Sequence, residues 1–248
     1  MTIQRADLVL VNRGFFPTRA KAQEAIALGL VRVAGKALTK ASAMIDDAIA
    51  IEAEKPYPWV SRGGVKLAAA LDAFGFDPKD RICLDVGAST GGFTDVLLAR
   101  GAAQVYAVDV GRGQLDAKLR DDRRVVSMEA TDARNLTPAI FAAPPAFITF
   151  DVSFISLRLV LPAVLPLTAE GAKLVALIKP QFEVGPAFVT KGIVKDDAKR
   201  QEACAAIDAL IGASGWTIDG LIPSPIEGTD GNREFLIGAT KTNAEAPQ

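Results

Sequence analysis

The stretch Ile82-Cys83-Leu84-Asp85-Val86-Gly87-Ala88-Ser89-Thr90-Gly91-Gly92-Phe93-Thr94 constrains the fold more than any other part of the chain. A short apolar run ends in an acid, a glycine-rich turn follows, and a segment of helical character begins. In an open α/β sheet this strand–turn–helix unit receives a nucleoside-containing ligand, because glycine lacks a Cβ and lets the turn come close. A second apolar run, Val105-Tyr106-Ala107-Val108-Asp109, ends in another acid about 20 residues on, the spacing at which a carboxylate accepts hydrogen bonds from a ribose.

The turn reads Gly87-Ala88-Ser89-Thr90-Gly91-Gly92, which is not the G-x-G-x-x-G cradle of a pyrophosphate. It is closer to the turns that hold S-adenosylmethionine (SAM). An NAD-dependent oxidoreductase would need the tighter cradle.

The surrounding pattern alternates. A helix is expected over 65–74 and strands over 82–85, 105–109, 125–128, 147–150 and 174–178, with helical segments between them. This is the signature of a doubly wound, mostly parallel sheet. Two late strands, 216–221 and 234–238, flank a Pro/Gly-rich loop and read as an antiparallel pair. The polar residues after Thr240 read as a frayed end. Half the residues are apolar (50%), enough for a large core, and no apolar run reaches the ~18 residues of a membrane span.

Ahead of this region lies a smaller α/β module. Helices are expected over 6–11 and 18–28, with Thr18 as N-cap and Gly29 as terminator. A hairpin is expected over 30–38 around Ala34-Gly35, and a further strand over 48–52. Residues 1–40 carry Arg5, Arg13, Arg19, Lys21, Arg32, Lys36 and Lys40 against Asp7 and Glu24, a net +5, while the chain as a whole stands at −1. A basic end on a mildly acidic body suits a local contact with a polyanion, or simply a solvated surface. The segment Glu54-Lys55-Pro56-Tyr57-Pro58-Trp59-Val60-Ser61 reads as a linker, since its prolines favour extended backbone. Tyr57 and Trp59 are expected to pack, against the following domain if they fix the interdomain angle. The expected division is 1–54, a linker over 55–61, and 62–242.

The chain has no histidine, which removes histidine bases, Ser-His-Asp triads and His-ligated zinc; no metal is expected. Cys83 and Cys204 are the only cysteines. Both read as packing residues, which argues against a disulfide framework and a pyrimidine-attacking thiolate and favours a reducing compartment. Residues 1–7 lack the apolar core of a signal peptide, so a cytoplasmic location is expected.

Four polar residues lie beside expected strand ends or a helix start: Lys66, Asp151, Lys179 and Glu234. Parallel strands present their carboxyl ends to one rim, where such sheets bind ligands. Taken singly, each could be a strand end meeting water. Asp151-Val152-Ser153-Phe154 stands where amino- and base-directed methyltransferases carry Asn/Asp-Pro-Pro-aromatic.

Lys66, Asp151, Lys179 and Glu234 resemble the Lys-Asp-Lys-Glu tetrad of the FtsJ-type ribose 2′-O-methyltransferases. The contexts Ser61-Arg62-Gly63-Gly64-Val65-Lys66-Leu67, Asp151-Val152-Ser153-Phe154-Ile155-Ser156 and Ile178-Lys179-Pro180-Gln181-Phe182-Glu183 narrow the resemblance to its hemolysin-A-like (TlyA) branch. Residues 5–14, 18–26 and 29–36 resemble the alpha-L RNA-binding module of the small-subunit ribosomal protein S-four, with Ala6 where leucine is usual. The resemblance implies a Rossmann-like SAM-dependent domain behind a small α+β RNA-binding domain. It also implies methylation of a ribose 2′-hydroxyl, at cytidine, in ribosomal RNA or ribosomal subunits.

On this reading Lys66, Asp151, Lys179 and Glu234 are catalytic, with Lys179 the best candidate base. Lysine is mostly protonated at neutral pH; burial and a neighbouring sulfonium favour the neutral amine, and Asp151 opposes that shift while aiming the group. Asp85, Gly87, Ala88, Ser89, Gly91, Gly92, Phe93 and Asp109 are expected around SAM, with 113–115 bordering the adenosine. Asp132 is either an adenine contact or the N-cap of the next helix. Arg5, Arg13, Arg19, Lys21 and Lys36 are expected to face RNA. Two other readings stay open: an RNA-binding protein with an inactive methyltransferase fold, and a hemolytic, pore-forming protein.

Overall fold

A computed structural model describes residues 2–228 and 231–243. Of the end expected to fray, 244–248 lie outside the described residues. The chain divides into two compact units, Met1–Pro58 and Trp59–Gln248.

The first unit contains β1 (Ile3–Arg5), α1 (Ala6–Asn12), α2 (Arg19–Ala27), β2 (Val31–Val33), β3 (Lys36–Ala37), β4 (Met44–Asp46) and β5 (Ile51–Ala53). Thr18 caps α2 by accepting the Lys21 N–H, as its position before the helical run requires. β2 and β3 form the expected hairpin, and β5 closes it antiparallel to β2. A second ribbon, β1 with β4, is too short to announce itself by alternation. The unit has its own core of Val9, Leu10, Phe16, Ile26 and Val31. Tyr57, expected to pack, does so within this unit: its hydroxyl donates to Glu24 Oε2 at 2.7 Å and the Lys21 ammonium sits over its ring.

The second unit contains α3 (Gly63–Phe74), β6 (Ile82–Val86), α4 (Gly92–Ala99), β7 (Gln104–Val108), α5 (Ala117–Arg120), β8 (Val125–Met128), β9 (Phe147–Phe150), α6 (Leu157–Val164), β10 (Lys173–Ile178), α7 (Pro180–Glu183), α8 (Asp197–Ala213), β11 (Trp216–Pro223) and β12 (Phe235–Lys241). Its sheet runs β11-β12-β10-β9-β6-β7-β8. β10, β9, β6, β7 and β8 are mutually parallel, and β12 is antiparallel to both of its neighbours.

Both sheet faces are covered, as a parallel sheet requires. Leu84, Val86, Leu174, Ala176 and Ile178 pack on one side with residues of α6 and α8; Cys83, Val175 and Leu177 pack on the other with residues of α3 and α4. Burial pushes the Cys83 and Cys204 thiols up to about 12 and about 11, as befits unreactive packing groups. The succession of strands reverses direction in space between β6 and β9, and at such a switch point the strand ends open a crevice.

Candidate functional site

The crevice begins at Gly87, where φ is +84° and a Cβ would lie 2.6 Å from the carbonyl oxygen of Asp151. Glycine is required there to let the exits of β6 and β9 approach. The Gly87 and Ala88 N–H groups donate to Val108 O at 2.8 and 3.1 Å. A cleft of about 540 Å³ follows, lined among others by Gly87, Ser89, Asp109, Gln114, Asp132, Asp151 and Phe154.

The cleft carboxylates are tied into its loops. Asp109 Oδ2 accepts the Ser89 N–H at 2.8 Å and Oδ1 the Gly111 N–H at 2.7 Å. Each oxygen keeps a second lone pair for a ligand hydroxyl. Asp132 caps a short 3-10 turn, Ala133–Asn135, and holds the Arg134 guanidinium at 2.6 Å; that bond is the first cause of its depressed pKa. It is therefore a cap that also lines the cleft. Glu129, which the sequence reading passed over, accepts the N–H groups of Gly113, Gln114 and Leu115 at 2.8, 2.6 and 3.0 Å. It thereby fixes the loop expected to border the adenosine.

Several residues expected to touch the cofactor are placed differently. Asp85 has no exposed surface: its oxygens accept from Thr94 Oγ1 at 2.7 Å and Thr149 Oγ1 at 2.9 Å. Burial pushes its carboxyl up to about 6, the two hydroxyls oppose that shift, and the Asp151 charge adds to it. Asp85 ties β6 to α4 and β9 from behind the turn. Ala88 and Phe93 are packed in the core. Gly91 and Gly92 are small because the protein itself comes close. A Cβ on Gly91 would lie 2.2 Å from Leu119 Cδ1, and one on Gly92 would lie 2.1 Å from Ser61 Oγ.

Lys66, Asp151, Lys179 and Glu234 form two ion pairs. Lys66 on α3 meets Glu234, just ahead of β12, at 2.5 Å, with both side chains buried. Lys179 follows β10, and its Nζ lies 2.7 Å from Asp151 Oδ1. The Lys179 hydrogen bond goes instead to Ser153 Oγ at 2.7 Å, which leaves Asp151 Oδ1 buried without one. The pairs are neighbours: a Cβ on Gly63 would lie 3.5 Å from Asp151 Oδ2, and Lys66 sits one turn along the same helix face.

Glu183 binds the Lys179 loop to the Asp151 loop. Its carboxylate accepts Ser156 Oγ at 2.6 Å and the Leu157 N–H at 2.8 Å, and the adjacent Phe182 ring meets Phe154 at 5.4 Å. Phe154 is 92% exposed, with φ +64°. The sequence contains both loops, but not their joining.

These features suit SAM. The cleft has the volume of a small-ligand pocket, and its carboxylates offer acceptors for ribose hydroxyls.

In the first unit, Arg5 and Arg19 gather on Asp7 at 2.9 and 3.0 Å. Arg13 donates to Ile49 O at 2.6 Å and stands over the Phe15 ring. Lys21 pairs with Glu24 at 3.5 Å. Lys36 is exposed in β3.

Comparison with known proteins gives two family matches, FtsJ-like methyltransferase over residues 59–241 and S4 domain over residues 4–47. The chain is 47% identical to the provisionally named rRNA methyltransferase YqxC of Bacillus subtilis, covering 94% of this chain and 84% of that one. It is 44% identical to the 16S/23S rRNA (cytidine-2′-O)-methyltransferase TlyA of Mycobacterium tuberculosis, covering 94% and 88%. A solved structure from Streptococcus thermophilus, provisionally named a hemolysin, superposes with a TM-score of 0.77 at 42% identity, covering 100% of this chain and 91% of that one.

Proposed function

The chain belongs to the FtsJ-like methyltransferase family and carries an S4 domain ahead of it, and from that premise we propose that it transfers a methyl group from SAM to the ribose 2′-hydroxyl of cytidine in ribosomal RNA. The observation that carries the proposal is the Lys179–Asp151 pair, whose Asp151 lines the cleft together with Gly87, Ser89, Asp109 and Asp132; Lys66 of the Lys66–Glu234 pair lies on the neighbouring α3. The relative from Mycobacterium tuberculosis is named for this reaction.

When bound, SAM supplies an electrophilic methyl on a cationic sulfonium. Gly87, Ser89, Asp109 and Asp132 would hold it in the cleft. Lys179, as the neutral amine, would take the 2′-hydroxyl proton on Nζ, freeing that oxygen to accept the methyl. Asp151 and Ser153 aim the amine. Lys66 and Glu234, paired with each other, would position the sugar. Orientation of this kind can supply ~7–11 kcal/mol of the acceleration.

Arg5, Arg13, Arg19, Lys21 and Lys36 would take phosphates of the ribosomal RNA, free or within a ribosomal subunit, in the cytoplasm where that RNA resides. Among the described residues no helix is long and apolar enough to cross a membrane. The hemolysin designation belongs to relatives.

The test is Lys179→Ala, with SAM affinity measured beside turnover. The expected outcome is turnover lower by ~100-fold or more with SAM affinity kept. Full turnover with intact SAM binding removes Lys179 as the base.

A further inference from the structure

Asp7, on α1, is fully buried. Arg5 Nε donates to its Oδ1 at 3.0 Å. Its Oδ2 accepts Arg5 Nη2 at 2.9 Å, Arg19 Nη2 at 3.0 Å and Gln23 Nε2 at 2.7 Å. The Arg5 bonds are the first cause that holds this carboxyl well below the usual range; burial opposes them, and Gln23 and Arg19 reinforce them. Two guanidiniums are thus drawn together, one from the residue ahead of α1 and one from the first residue of α2. Without the carboxylate between them, like charges would separate. Both side chains stay exposed, at 40% and 51%, and each keeps N–H groups that Asp7 does not use.

We propose that Asp7 is a positioning residue for RNA: it locks Arg5 and Arg19 into one pre-oriented pair whose outward N–H groups take phosphate oxygens of the RNA backbone. The proposal rests on the RNA-binding reading given above. A free arginine gives up substantial side-chain entropy when it is fixed on a phosphate. Arg5 and Arg19 have already lost much of that freedom on Asp7. A buried acid also lowers the net charge of a unit that binds a polyanion, which is understandable if its gain lies in geometry.

Charge and geometry predict opposite signs for Asp7→Asn in the full chain. The substitution makes the unit one charge more positive, so electrostatics alone tightens its grip on purified ribosomal RNA and steepens the salt dependence. Positioning predicts a dissociation constant roughly three- to tenfold higher and a shallower slope of log K against log salt, by about one phosphate contact. The KM for RNA rises with it, while kcat and SAM affinity stay unchanged.

Arg19→Lys serves where Asp7→Asn fails to fold. It keeps the charge at an exposed position but loses the fork, so the same weakening is expected; affinity equal to wild type overturns the proposal. Equal or tighter binding by Asp7→Asn, with Arg5→Ala and Arg19→Ala both weaker, also overturns it and leaves the RNA reading standing. Unchanged affinity in Arg5→Ala and Arg19→Ala removes this surface from RNA binding and the proposal with it.

Discussion

Asp85 shows what a single residue can hide. It was expected at the cofactor because it ends an apolar run before the glycine turn. Strand alternation carries the contrary signal: Asp85 shares its face with Cys83, the face that α3 and α4 cover. Its folded-state pKa of about 6, against 3.8 for the free group, has a consequence for stability. Between those values the folded chain holds a proton that the unfolded chain releases. Stability from this group is therefore full below about pH 4 and falls as pH rises to about 6, by about 3 kcal/mol in all. Denaturant titrations should show that slope in wild type and not in Asp85→Asn; an identical slope in both would exclude the assignment. The Lys66–Glu234 pair makes a second residue-scale prediction. Lys66→Met leaves a buried carboxylate without its counter-charge and should cost about 3–5 kcal/mol of unfolding free energy; a loss under 1 kcal/mol would mean that the pair behaves as a surface contact.

At the scale of elements, the alternation of apolar runs made most strands legible, while the interlocks between them were invisible. Nothing in the order of residues tells that Glu183 clasps Ser156 and Leu157, because the partners lie on different crossovers. Glu183→Ala should leave SAM affinity near wild type and lower kcat about tenfold or more, since a small misplacement of Lys179 against Asp151 is amplified in rate; unchanged kcat would show that the clasp does not aim the lysine. The late strands hold another such interlock. Gly220 pairs with Gly238 across β11 and β12, and a Cβ on Gly238 or Gly220 would lie 2.5 or 2.9 Å from the Phe74 ring. The two glycines form the seat for the end of α3, the helix that carries Lys66. Gly238→Ala should cost about 1–3 kcal/mol through overpacking and be partly rescued by Phe74→Leu; no loss of thermal stability would refute the seat.

For the whole molecule, the basic amino-terminal segment and the alternating remainder were visible in composition and pattern. Sheet order was not, because periodicity marks strands without saying which are neighbours. Each unit has its own hydrophobic core, so a chain of residues 59–248 should keep SAM affinity while losing most affinity for ribosomal RNA; equal RNA affinity in the truncated and full chains would contradict the division of labour. The central claim is that a sugar oxygen of cytidine in ribosomal RNA receives the methyl. The most direct measurement is to incubate the protein with SAM and unmodified ribosomal RNA, digest to nucleosides and weigh the products. A gain of 2′-O-methylcytidine with the base unaltered is the predicted result; a methylated base, or no methylated nucleoside at all, would contradict it.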